Sequence, residues 1–128
     1  MPKTERLFTR KSLSGSAPFG CAILFSCRGV NMVKHIILWK LKEEHNTDSV
    51  KQGIKDGLEG LIGKVPGLTE ICVQICGLAS SNADVMLYSV FADEAALRDY
   101  ATHPDHVYVA DTFVRPFTET RLCLDFEV

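Results

Sequence analysis

A chain of 128 residues, 46% hydrophobic and 23% charged, has the make-up of one ordinary globular domain that can bury a real core. Its net charge of −2 excludes the broadly basic protein that holds nucleic acid by its phosphates. Cys21, Cys27, Cys72, Cys76 and Cys123 are an odd and sparse set of five. That argues against a disulfide framework and for reduced thiols in a reducing, cytoplasmic compartment.

Residues 1–31 differ in kind from the rest. They carry five basic groups (Lys3, Arg6, Arg10, Lys11 and Arg28) against one acid, Glu5, so the remaining chain is acidic. The apolar run from Phe19 to Phe25 sits at the lower limit of about 7–15 residues for the core of a signal peptide and is interrupted by Gly20 and Cys21. It is far short of the roughly 20 residues that span a bilayer. These residues are expected to be a disordered or non-native leader, with a single domain over 32–128 and no membrane attachment.

Val33 to Lys42 alternates with period two, placing Val33, His35, Ile37, Trp39 and Leu41 on one face and Ile36 and Leu38 on the other. This predicts a strand covered on both sides. Thr47, Asp48 or Ser49 then caps a helix whose apolar positions are Val50, Ile54, Leu58, Leu61 and Ile62. Gly53, Gly57 and Gly60 weaken that helix by propensity, so packing must hold it or its glycines must admit a close neighbour. Gly63-Lys64-Val65-Pro66-Gly67 ends it. Leu68 to Leu78 and Val85 to Phe91 alternate and are joined by a small polar stretch, which predicts an antiparallel hairpin. Asp93 caps a second helix with an inward stripe of Ala96, Leu97, Tyr100 and Ala101. A short helix from Val107 to Val114 is broken by Arg115-Pro116, and Arg121 to Val128 closes the chain as a strand.

The order β-α-β-β-α-β is the split βαβ, an α+β arrangement with a ferredoxin-like four-stranded antiparallel sheet and both main helices on one face. The other face, carrying Ile36 and Leu38, is too apolar to leave in water. A homodimer is the simplest cover for it.

The richest stretch chemically is Asp99-Tyr-Ala-Thr-His-Pro-Asp-His106. Pro104 stops the second helix there and leaves groups of tunable pKa at its end. His106 can accept a proton from a carbon beside a carbonyl. Tyr100 can donate to the developing enolate oxygen, and His35 can orient the ligand or His106. Ile37, Trp39, Leu97 and Phe117 offer an apolar wall, as small-molecule sites require, and His103 joins the ligand-binding candidates. The alternative is that these histidines serve only packing and capping. His35, His103 and His106 are the imidazoles a metal would use. With no carboxylate or cysteine at matching spacing, neither a metal site nor a cofactor is expected.

Several of these segments together resemble the stress-responsive A/B barrel (Dabb) family: Val33–Lys42, Gly63–Gly67, Ala96-Leu97 with Tyr100, His103-Pro104 and His106, then Arg115 and Leu124-Asp125-Phe126-Glu127-Val128. The resemblance covers Met32 to Val128. It implies a dimeric α/β barrel in which two such sheets face each other. The family includes plant stress proteins without settled chemistry and a polyketide cyclase that closes a ring by an aldol-type condensation. In the latter, a tyrosine, a histidine and a first-strand histidine match Tyr100, His106 and His35. A further pocket histidine falls near Val85, where this chain has none. The resemblance therefore implies a binder of small apolar or aromatic molecules with cyclase- or lyase-like chemistry, or a non-enzymatic stress protein. A cofactor-free monooxygenase is a third reading, by analogy with other dimeric α/β barrels.

Overall fold

Strand β1 (Val33–Leu41) runs through the middle of the sheet, antiparallel to β3 (Val85–Phe91) on one side and to β4 (Thr118–Glu127) on the other. The computed structural model describes residues 31–128. The expected leader over 1–31 lies outside them except for its last residue, as do Cys21 and Cys27. Strand β2 (Leu68–Gln74) pairs with β3, giving the order β2-β3-β1-β4 with every pair antiparallel. This is the expected ferredoxin-like α+β sheet.

Helix α1 (Asp48–Glu59) starts where Thr47 Oγ1 accepts a hydrogen bond from Val50 N at 3.2 Å. That bond satisfies one of the amides a helix start leaves free. Ile54, Leu58 and Leu61 are buried as expected. Ile62 is 47% exposed instead, because the helix has ended at Glu59 and the turn through Gly63 (φ +82°) no longer follows its period. The glycines of α1 admit a close neighbour. A Cβ on Gly57 would stand 3.0 Å from Val109 Cγ1 and 3.2 Å from Phe113 Cδ2. Lys55 and Glu59 also tie α1 to the outer edge of β2: Lys55 Nζ donates to Val73 O, and Val73 N donates to Glu59 Oε2. An exposed strand edge is thereby blunted by charge.

Helix α2 (Glu94–Thr102) is capped by Asp93, whose carboxylate accepts from Ala96 N at 2.8 Å. The third helix, α3, begins at Pro104 and runs to Val109, three residues earlier than the apolar spacing indicated. Proline is favoured in the first helical turn, where its missing N–H is not needed. Wide i→i+5 turns over Ala110–Val114 and a tight 3₁₀ turn over Arg115–Phe117 lead into β4.

The helices pack chiefly beneath β1, β2 and β3. The inward side chains there are Val33, Ile37, Trp39, Val73, Leu87 and Phe91, all buried. Strand β4 receives little such cover and is exposed along nearly its whole length. On the opposite face of the sheet Leu38 and Phe126 are about 40% exposed and Leu122 and Leu124 are 64% exposed. The cross-strand register places Leu38 against Leu122 and Ile36 against Leu124, so these residues form one continuous apolar patch. No helix among the described residues is long and apolar enough to cross a membrane.

Candidate functional site

The strand period selects the side chains of the site. Positions 35, 37 and 39 of β1 face the helices, and their partners across β4 are Asp125, Cys123 and Arg121. With Tyr100 and Leu97 from α2, His106 from α3 and Arg115 beyond it, they surround a cavity of about 720 Å³. Polar residues of β4 thus oppose the apolar residues of β1, so the space between them is not closed by packing.

Within the cavity the aromatic rings form a chain. Tyr100 lies 4.1 Å from His106 and 6.1 Å from His35, ring centre to ring centre, and 4.9 Å from Phe91. The Tyr100 hydroxyl and His106 Nδ1 are buried and have no hydrogen-bond partner among the described residues. Leaving such groups unpaired costs about 1–3 kcal/mol each. Burial pushes the Tyr100 hydroxyl far above the ordinary phenol range, against a smaller opposing pull from Arg121, so it stays a neutral donor. Burial also lowers the His106 pKa; a hydrogen bond to the Ala101 backbone raises it, while Arg115, His35 and Arg121 lower it further. His106 is therefore a neutral imidazole at neutral pH, with Nδ1 free to accept a proton.

His35 is held differently. Its Nδ1 lies 2.5 Å from Asp125 Oδ1, and the imidazole N–H donates to that carboxylate. Its backbone carbonyl accepts from Ser89 Oγ at 3.1 Å. Cys123 Sγ stands 3.8 Å from the same His35 Nδ1 and 3.4 Å from Asp125 Oδ1. Burial is the first cause raising the Cys123 pKa, followed by the hydrogen bond to Asp125 and its charge; Arg121 opposes them. At the rim, Arg98 pairs with Glu94 at 3.4 Å and Arg115 with Asp111 at 2.5 Å.

His35, Tyr100 and His106, with Ile37, Trp39 and Leu97 of the expected apolar wall, surround one cavity. His103 and Phe117 are not part of it. His103 ends α2 and starts α3, its Nδ1 accepting from Asp105 N at 3.1 Å, and this capping role turns the ring away. Phe117 stacks edge-on against His45 at 5.0 Å, and its carbonyl accepts from Lys42 N, at the far end of β1. Sequence reasoning missed Arg121, Cys123 and Asp125. The alternation of β4 was visible, but its apolar set would ordinarily be placed inward, and here it faces out. Asp125 lies within the family-like closing segment Leu124-Asp125-Phe126-Glu127-Val128, whose sequence by itself gives it no role.

An α+β ferredoxin-like sheet with a polar-ended cavity under its helices defines the class of the protein. Residues 33–128 match the stress responsive A/B barrel domain. The chain belongs to that family. Among solved structures, a dimeric ferredoxin-like protein of unknown function from Bacteroides fragilis is 32% identical, covering 76% of this chain and 96% of its own, with a TM-score of 0.70. A hydroxynitrile lyase from Passiflora edulis is 18% identical, with coverages of 76% and 93% and a TM-score of 0.65. A cofactor-independent oxygenase from Streptomyces nogalater is 14% identical, with coverages of 75% and 91% and a TM-score of 0.60. The last two share the fold alone. No curated protein matches the chain.

Proposed function

We propose that the protein is a homodimer that binds a small apolar or aromatic carbonyl compound and abstracts a proton beside the carbonyl, in the manner of a cyclase or lyase. His106 Nδ1 is the base, and the neutral Tyr100 hydroxyl donates to the enolate oxygen as charge develops there. His35, fixed by Asp125, positions the ligand against both. Ile37, Trp39 and Leu97 supply the apolar wall. The observation that carries this reading is the pair of buried, unpartnered polar atoms on two adjacent rings whose residues line one cavity. A purely structural role for these rings would call for both atoms to be bonded. A hydroxynitrile lyase and a cofactor-independent oxygenase share the fold, so the fold can carry an enzyme; the residue roles rest on the geometry of this chain.

The dimer is supported by the apolar patch of Leu38, Leu122, Leu124 and Phe126 and by the 32%-identical bacterial relative, which is dimeric. Replacing Leu124 by lysine should convert the dimer to monomer in sedimentation. A wild-type chain that sediments as a monomer ends the dimer proposal.

The catalytic reading is tested by melting the protein against aromatic and polyketide-like carbonyl compounds. A true ligand raises the midpoint in a concentration-dependent way. Deuterium exchange at the carbon beside the carbonyl is then followed for the compound that binds. His106→Ala should lower the exchange rate by about 10²–10⁴, and Tyr100→Phe by about 10²–10³. Exchange unchanged in His106→Ala removes the base. Bound compounds with no exchange at all point to the stress protein that only binds. Oxygen consumption in place of exchange points to the cofactor-free monooxygenase.

A further inference from the structure

We propose that His35, Cys123 and Asp125 form a three-donor binding site for a divalent transition metal of borderline softness, zinc above all. The register of β1 against β4 sets His35 opposite Asp125 and Ile37 opposite Cys123, and the period of the strand keeps 123 and 125 on the same face. The His35 nitrogen, the Cys123 sulfur and the Asp125 oxygen all lie within 4.8 Å of one another. His35 is buried and fixed through its backbone. Cys123 and Asp125 are exposed, so an ion can reach the site from the cavity.

The arrangement does not suit a nucleophilic relay. In such a relay the nucleophile and the carboxylate occupy opposite nitrogens of the imidazole, so that a proton can pass from one side to the other. Here thiol and carboxylate both converge on Nδ1, at 3.8 Å and 2.5 Å. Three donors of nitrogen, sulfur and oxygen type facing one point suit a cation. Zinc bonds of about 2.0 Å to nitrogen, 2.1 Å to oxygen and 2.3 Å to sulfur, at tetrahedral angles, separate the donors by about 3.4–3.6 Å. The Cys123–Asp125 separation of 3.4 Å is about 0.2 Å below the sulfur–oxygen value, and the Cys123–His35 separation of 3.8 Å is about 0.3 Å above the sulfur–nitrogen value. Only His35 and Asp125 must part, by about 0.9 Å on the same bond lengths, and the half-exposed Asp125 side chain is free to swing. Three protein donors leave a fourth position directed into the cavity, the pattern of metal sites that keep a place for water or a ligand.

The test uses the full chain, stripped of metal and titrated with cobalt(II) alone. One equivalent per chain should bind and give the intense visible bands of four-coordinate cobalt with a thiolate charge-transfer band, both displaced by zinc. In Cys123→Ser the charge-transfer band should vanish and zinc affinity should fall at least about tenfold, the least expected when even an outer partner of a ligand is lost. Asp125→Asn should weaken binding similarly yet keep the band, while Cys72→Ser and Cys76→Ser should change neither. Circular dichroism establishes that each variant is folded; Cys123 and Asp125 are exposed, so the fold does not depend on them. A chain that fails to take up one equivalent of cobalt, or a thiolate band that survives in Cys123→Ser, overturns the site. Because the readout is the metal spectrum, the result stands apart from whether His106 catalyses proton transfer.

Discussion

The space under β2 and β3 is largely filled, while that beneath β1 and β4 is hollow, although all four strands belong to one sheet. Beneath β3 the inward residues Val85, Leu87 and Phe91 meet Ile54 and Leu58 of α1 in an apolar core. Beneath β4 the inward residues are Arg121, Cys123 and Asp125, which no helix can cover without stranding their polar groups. The contrast shows how one sheet divides its work. Apolar inner positions draw helices down and stabilise the fold. Polar inner positions hold the helical layer off and leave room for a ligand.

The two regions should respond differently to substitution. Ile54→Ala, in the filled half, should cost about 2–5 kcal/mol by leaving a cavity, read as a lower urea midpoint. Ligand affinity of the molecules that remain folded should not change; a matching loss of affinity would join the two halves. Tyr100→Phe, at the edge of the hollow half, removes a buried hydroxyl that has no partner. It should leave stability unchanged or raise it by up to about 1 kcal/mol while the proton exchange falls. A clear loss of stability would mean the hydroxyl is bonded in the assembled protein.

The smallest effect is a pH dependence from His106. Its folded pKa lies below the ordinary imidazole value of about 6.5. Between the two values the unfolded chain binds more protons, so stability rises with pH there. The contribution is complete above the ordinary value and is lost as pH falls through the folded one. Urea midpoints across that window should drop on acidification, and less steeply in His106→Gln. Equal slopes would place the sensitivity on another group.

Much of this could be read from the chain. The period of β1 fixed its inner face correctly, and Asp93 and Thr47 cap where their residue types suggested. Tyr100, His106 and His35, marked by the family resemblance and by their chemistry, sit around one cavity. The misreadings share a cause. His103 and Phe117 were placed by proximity in sequence, but a cap and a tight turn redirect a side chain within two or three residues. For β4 the strand was read but neither face was assigned inward, and the structure turns the polar set of Arg121, Cys123 and Asp125 to the cavity.

The sequence by itself determined the order of elements, their caps and the faces of β1 and β3, because these depend on local periodicity and on apolar residues seeking cover. Tertiary structure alone decided which face of β4 turns inward, and so brought Cys123 and Asp125 to His35. That choice depends on the register between strands more than 80 residues apart, which no short stretch of chain encodes.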